Sequence, residues 1–136
     1  MAFVLSSQLS DAEAEDYMRV FHATAHVLTN AMVIFDALRR TDPDPNERDR
    51  YRAGALGANR DLLLVQARLG AVMAGQAMVR APTASEVSTA QELTQNLAVQ
   101  LAAQAKATAL VKIVSKAFAT FLKINAPAPP AGGGDT

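Results

Sequence analysis

The sequence predicts an all-α fold, an antiparallel up-down-up bundle of three long helices, on three observations. Alanine is the commonest residue and aromatics make up only 5% of the chain, a composition that favours helix over sheet. Proline, the strongest helix breaker, falls in three places: Pro43 and Pro45, Pro82, and the segment from Pro127 onward. Between these breaks lie three long segments in which apolar residues recur at helical spacing with little strand-like alternation.

The first helix is predicted to begin at Ser10. Ser10 and Glu13 form an S-x-x-E capping box, and Asp11, Glu13, Glu15 and Asp16 sit where the positive end of the helix dipole favours negative charge. Arg39 and Arg40 suit the negative end, and Pro43 stops the helix there. The second helix repeats this grammar, with Asp44 as N-cap, Pro45 at the first helical position, Glu47 three residues after the cap, and Arg80 near the end. A third helix starts from Thr83 with Glu86 in its capping box and runs unbroken to about Ile124. Its acids come first (Glu86, Glu92) and its lysines later (Lys106, Lys112, Lys116, Lys123), the order a helix dipole favours. Short connections make consecutive helices antiparallel neighbours. The expected organisation is an N-terminal extension at 1–9, a bundle at 10–124, and a disordered Pro/Gly-rich tail at 125–136 with nothing to bury.

The faces of these helices point to self-association. On the first helix four heptad columns are largely apolar: Ala14, Phe21, Leu28, Phe35; Tyr17, Thr24, Ala31, Leu38; Val20, Val27, Ile34; and Met18, Ala25, Met32. That arc is wider than two neighbours cover. A fourth surface is required, most simply a second copy; a monomer with Phe3, Val4 and Leu5 folded over the helix is the alternative. The second helix holds Ala53, Gly54, Gly57, Gly70, Ala71, Ala74 and Gly75. Each interior glycine costs about 1 kcal/mol relative to alanine, which close approach of another backbone would offset. The expected interface residues are therefore Phe21, Leu28, Met32, Phe35, Gly70, Ala74, Phe118 and Phe121.

Composition removes several function classes. The 13 basic and 13 acidic side chains balance, so the broad attraction used in non-specific nucleic-acid binding is missing, and no nucleic-acid partner is expected. Without cysteine there are no disulfides, thiolate metal sites or cysteine nucleophiles. No apolar run approaches the ~18 residues of a membrane span, and residues 1–9 lack a signal peptide's positive start, so a cytoplasmic protein is expected. Reversible docking onto a lipid or hydrophobic polymer surface by opening of the bundle, with the lysine-bearing third helix outward, is a further alternative. The sequence contains no G-x-S-x-G, no P-loop, no dinucleotide fingerprint and no Glu-x-x-His pair, and the chain is not expected to be an enzyme.

One titratable constellation stands out. His22 and His26 are four residues apart on one side of a helix, a spacing that suits two ligands of Zn2+ or another divalent transition metal, but Ala23 occupies the position where a zinc protease needs glutamate. Both histidines fall outside the four apolar columns, so solvated or interface histidines are the simpler account. Antiparallel pairing brings His22 and His26 level with Arg60 and Asp61 and with Gln100 and Gln104. These groups form either a polar mid-bundle layer that fixes register or, with Asp61 as a further ligand, a small metal site. The leading expectation is a non-enzymatic helical bundle that works as an assembly, scaffold or partner-binding module, as a homo-oligomer or with a protein partner.

Overall fold

The computed structural model describes residues 8–103 and 106–125. These form four helices: α1 (Asp11–Thr41), α2 (Pro45–Met73), α3 (Ala84–Ala102) and α4 (Ala107–Asn125). The fold is all-helical, as expected, but the three-helix count is corrected. The single helix expected from Thr83 to about Ile124 is two helices, α3 and α4, and α4 folds back along the bundle.

Local chemistry sets three of the four starts. Ser10 accepts from the Glu13 N–H while the Glu13 carboxylate accepts from the Ser10 N–H, so the capping box satisfies two orphan donors at once. Asp44 accepts from the Asn46 N–H, with Pro45 at the first position of α2. Thr83 and Glu86 form the reciprocal box at α3. The start of α4 is made differently. The Glu47 carboxylate, reaching across from the first turn of α2, accepts from the Ala107 N–H at 3.1 Å. A long-range contact therefore caps α4, and the residues next to the break carry no proline or glycine to announce it.

α2 is also shorter than expected, ending at Met73 rather than near Arg80. The chain turns after Ala74 through Gly75, whose φ of 74° is the left-handed conformation that glycine adopts without a Cβ clash. Residues 78–83 then cross the end of the bundle. Gln8 pins this crossing by donating to the Ala77 carbonyl and accepting from the Val79 N–H, and the Arg80 N–H donates to the Ile124 carbonyl at the end of α4.

These ties fix the topology. The start of α1, the end of α2, the start of α3 and the end of α4 meet at one end of the bundle, while Phe35, Tyr51, Glu47 and Ala107 meet near the other. α1 and α3 run one way, α2 and α4 the other. α1 packs against all three other helices, and α2 and α3 occupy opposite flanks of the α1–α4 pair. The core is built on Tyr17, Val20, Val27, Leu28, Ala31 and Phe35 of α1, with Val65 and Val72 from α2, Leu93 and Leu97 from α3, and Leu110, Phe121 and Ile124 from α4. Tyr17 and Phe21 both pack on Phe121 with ring centroids 5.9 Å apart, and Phe35 packs on Tyr51 at 6.0 Å. Tilted aromatic pairs of this kind add about 0.5–1.5 kcal/mol to the area they bury.

Asn125 is a second revision at an element boundary. Placed at the start of the tail by sequence, it is the last residue of α4 and 2% exposed. Phe3, Val4, Leu5 and the tail beyond Asn125 lie outside the described residues.

Candidate functional site

Much of the apolar arc on α1 is covered within the chain. Leu28 and Phe35 are buried under α2, α3 and α4, as are Tyr17, Val20, Val27 and Ala31, because the returning α4 supplies the additional surface that a three-helix bundle lacks. Phe121 is likewise fully buried, on the α4 side of the same core. Leu28, Phe35 and Phe121 therefore hold the chain's own helices together and present no surface to a partner. Phe21 and Phe118 are half-buried against this core.

The fourth column of α1 stays partly open. Met18, Ala25 and Met32 are half-buried at the edge facing α2. Beside them Val33 is 62% exposed, and across the cleft Leu56 is 67% and Leu63 58% exposed. Met32 and Val33 of α1 with Ala55 and Leu56 of α2 line a groove of about 620 Å3, rimmed by Asp36, Arg39 and Arg52. Leu56, Leu63 and Gly70 share one heptad column of α2, and both Gly70 and Ala74 are exposed. Among the described residues nothing lies within 4 Å of a Cβ built on Gly70, so this glycine does not serve close packing between the described helices.

A second groove, of about 600 Å3, runs between α2 and α4 and shares no lining residue with the first. Its floor is Phe35 and Ala58, its walls include Gly54 and Gly57 on α2 and Val111 on α4, and Arg50, Arg60 and Lys112 stand at its rim. Asp61 lines it too, 7% exposed, with one carboxylate oxygen held by Arg60 Nε and Nη2 at 3.2 and 3.1 Å.

The polar residues expected at mid-bundle are only partly brought together. Arg60 and Asp61 pair with each other, Gln100 is half-buried on α3, and Gln104 lies outside the described residues. His22 and His26 are both exposed on α1. His26 Nε2 is 2.9 Å from the Asn30 amide nitrogen, and the His22 ring stands edge-on to Phe21 at 5.4 Å. Among the described residues no three His, Asp or Glu side chains surround a point that a metal ion could occupy, and Asp61 is not brought to the two histidines. No described helix is long and apolar enough to cross a membrane.

Sequence reasoning missed two groups that shape these surfaces. Glu47 reads as an ordinary first-turn acid of α2, yet it also caps α4 and so sets one end of the α2–α4 groove. Gly54 gives way to the Phe35 ring, which stands 2.9 Å from where a Gly54 Cβ would be. The signal for Gly54 was present as a helix-interior glycine; nothing in the sequence said which of the four glycines was in use. Compared with known proteins, the chain matches no family model, no curated sequence and no solved structure at a significant level.

Proposed function

We propose that this chain is a non-enzymatic, self-associating helical bundle, an assembly or scaffold module whose α1–α2 face pairs with the same face of a second copy. The observation that carries the reading is the row of large apolar side chains left in water along that face: Val33, Leu56 and Leu63, each more than half exposed, beside the half-buried Met32 column. Isolated apolar residues on a surface are ordinary, whereas several large ones gathered on one face beside a shallow groove are the usual mark of a protein contact. Twofold pairing places the same patch on both sides, so the patch must be complementary to itself. Asp36 on the rim together with Arg39 and Arg52 supplies both signs of charge around the apolar strip, which such pairing needs. The overall balance of 13 basic and 13 acidic groups leaves little net repulsion between copies.

The test is size-exclusion chromatography with light scattering at micromolar concentration, on the full chain and on a Leu56→Glu, Leu63→Glu variant. The expected result is a defined oligomer that becomes a helical monomer in the variant, since both leucines are exposed within one chain and their replacement leaves the core intact. A full chain that stays monomeric throughout overturns the reading, as does an oligomer indifferent to the substitutions.

A further inference from the structure

We propose that the α2–α4 groove is a docking site for an acidic amphipathic helix of a protein partner. This surface lies on the other flank of α2 from the self-association face and shares none of its lining residues, so it stands independently of that reading. Three observations support it.

The first is charge placement. The chain is neutral as a whole, but its charges are sorted among the helices. α4 carries Lys112, Lys116 and Lys123 and no acid, α3 carries Glu86 and Glu92 and no base, and α2 has five arginines against three acids. The groove thus lies between the two helices with a basic excess. Its one acidic lining residue, Asp61, is already held by Arg60. Arg50 engages Glu47 through one terminal nitrogen and keeps its other donors, and Lys112 is in no ion pair among the described residues.

The second is shape. A volume of about 600 Å3 between two helices is concave, and concavity fits a convex rod better than it fits a planar lipid surface. Arg50 and Arg60 are ten residues apart on one wall, about 15 Å along the helix. Lys112 stands on the facing wall. Lys112, in no ion pair among the described residues, offers its charge on that wall, and the donors that Arg50 and Arg60 keep beyond their pairs with Glu47 and Asp61 extend polar contacts along the other, a spread that matches groups along a helix and exceeds what one lipid headgroup presents. Leu64, three residues beyond Asp61 on α2, and Leu122, one heptad beyond Ser115 on α4, are 50% and 36% exposed, and that helical spacing carries apolar surface on beyond the groove.

The third is Gly57. Glycine inside a helix carries a conformational cost, and at Gly54 that cost is offset because the Phe35 ring occupies the space a Cβ would take. At Gly57 no described residue lies within 4 Å of a built Cβ, and the empty space is the groove itself. The missing side chain keeps the groove open and serves no packing against the described helices.

The test uses fluorescence anisotropy of a labelled synthetic helical peptide with leucines on one face, glutamates on both flanks and no basic residue, and a counterpart in which every glutamate is glutamine. Each is titrated with the full chain and with Gly57→Leu and Lys112→Glu. The expected result is saturable binding of the acidic peptide, about tenfold tighter than the glutamine peptide and weakening with salt, as rim charges dictate. Gly57→Leu fills the groove and abolishes binding while leaving the melting temperature unchanged or raised; Lys112→Glu weakens binding about tenfold or more, since it reverses a charge at the rim. Equal binding of the two peptides, no binding of either, or full affinity in Gly57→Leu overturns the proposal. So does recovery of the chain on phosphatidylserine vesicles that the acidic peptide fails to displace.

Discussion

The Tyr17 hydroxyl donates a 2.7 Å hydrogen bond to the Asn125 amide oxygen, joining the second turn of α1 to the last residue of α4 across 108 positions of sequence. Both side chains are buried, and the Asn125 amide nitrogen donates in turn to the Phe121 carbonyl. Tyr17→Phe leaves the buried Asn125 oxygen without its donor, and the expected loss is about 1–3 kcal/mol in urea unfolding. Pairing Tyr17→Phe with Asn125→Leu removes both polar partners, so the double variant should lose less than the sum of the single losses. Strict additivity would show that the hydrogen bond contributes nothing specific.

Burial pushes the Tyr17 hydroxyl up to about 12, against opposing contributions from the Asn125 hydrogen bond and then from Arg68. Burial raises Tyr51 as well, helped by Asp42 and Glu47. A phenol that ionises later in the folded state than in the unfolded state stabilises fully below pH ~10, where both states are protonated, and loses that contribution as pH rises toward 12. Stability should therefore fall by about 2 kcal/mol over this window on account of Tyr17. Tyr17→Phe should flatten the alkaline limb without removing it, because the Tyr51 contribution remains. Chemical denaturation at a series of alkaline pH values reads both effects.

Arg80 and Glu86 give the acid limb. Arg80 donates to both Glu86 oxygens, at 2.8 and 2.6 Å, while Glu86 Oε1 also accepts from the Thr83 N–H. The Arg80 hydrogen bond, followed by the Thr83 N–H and the Arg80 charge, outweighs burial and lowers the Glu86 carboxyl to about 2. A depressed carboxyl stabilises above its unfolded value and loses that contribution as pH falls from about 4.5 toward 2. Glu86→Gln keeps an oxygen for the capping box but loses the charge. The expected cost is about 2 kcal/mol at neutral pH, shrinking to a small fraction of that by pH 2, where the folded wild-type carboxyl is about half protonated. Little cost at neutral pH would assign the role of Glu86 to the cap alone, since glutamine keeps the oxygen that accepts from the Thr83 N–H.

How much of this architecture could be read from the sequence follows from where each determinant lies. Ser10 with Glu13, Asp44 with Pro45, and Thr83 with Glu86 are local signals, and each marks an observed helix start. The break before Ala107 is tertiary. Ala103 and Lys106 are good helix formers, and among the described residues the side chain that meets the new start is the distant Glu47. The same break explains the excess apolar arc of α1. The arc did require another surface, and folding back supplies most of it as α4, which is why Leu28 and Phe35 are internal. Met32 and Gly70 stay at the surface because none of the described helices passes over the outer edge of the α1–α2 pair. For the histidines, spacing placed both on one side of α1 but gave no information on whether another helix would bring them a third ligand.

Glu47 should accordingly behave as a residue of two helices. It is 6% exposed, accepts from Ala107 of α4, and pairs with Arg50 in its own helix. Glu47→Ala leaves an orphan N–H at a buried helix start beside an unpaired arginine, for an expected loss of about 1–3 kcal/mol. Glu47→Gln retains the acceptor and should recover a large part of this. The discriminating measurement is amide hydrogen exchange. The first turn of α4 should lose protection in Glu47→Ala before α1 does; uniform loss along the chain would mean that Glu47 supports the bundle globally and does not cap α4 in particular.

The glycines of α2 separate by what occupies their missing Cβ. At Gly54 an added methyl would stand 2.9 Å from two carbons of the Phe35 ring, and Phe35 is 1% exposed with Tyr51 packed beside it, so the ring has little freedom to withdraw. Overpacking of this kind costs about 1–3 kcal/mol, and replacing a helix-interior glycine returns about 1 kcal/mol, so with a ring this confined Gly54→Ala should be destabilising by up to about 2 kcal/mol net. Gly57 and Gly70 have open space at the same atom. Gly57→Ala and Gly70→Ala should each stabilise by up to about 1 kcal/mol, with unfolding midpoints shifted upward and unchanged denaturant slopes. Opposite signs at Gly54 and Gly57, on one helix and three residues apart, cannot come from helix propensity alone. They require the Phe35 contact, and a shortened ring in Phe35→Leu should remove most of the penalty at Gly54 while leaving the gain at Gly57 untouched.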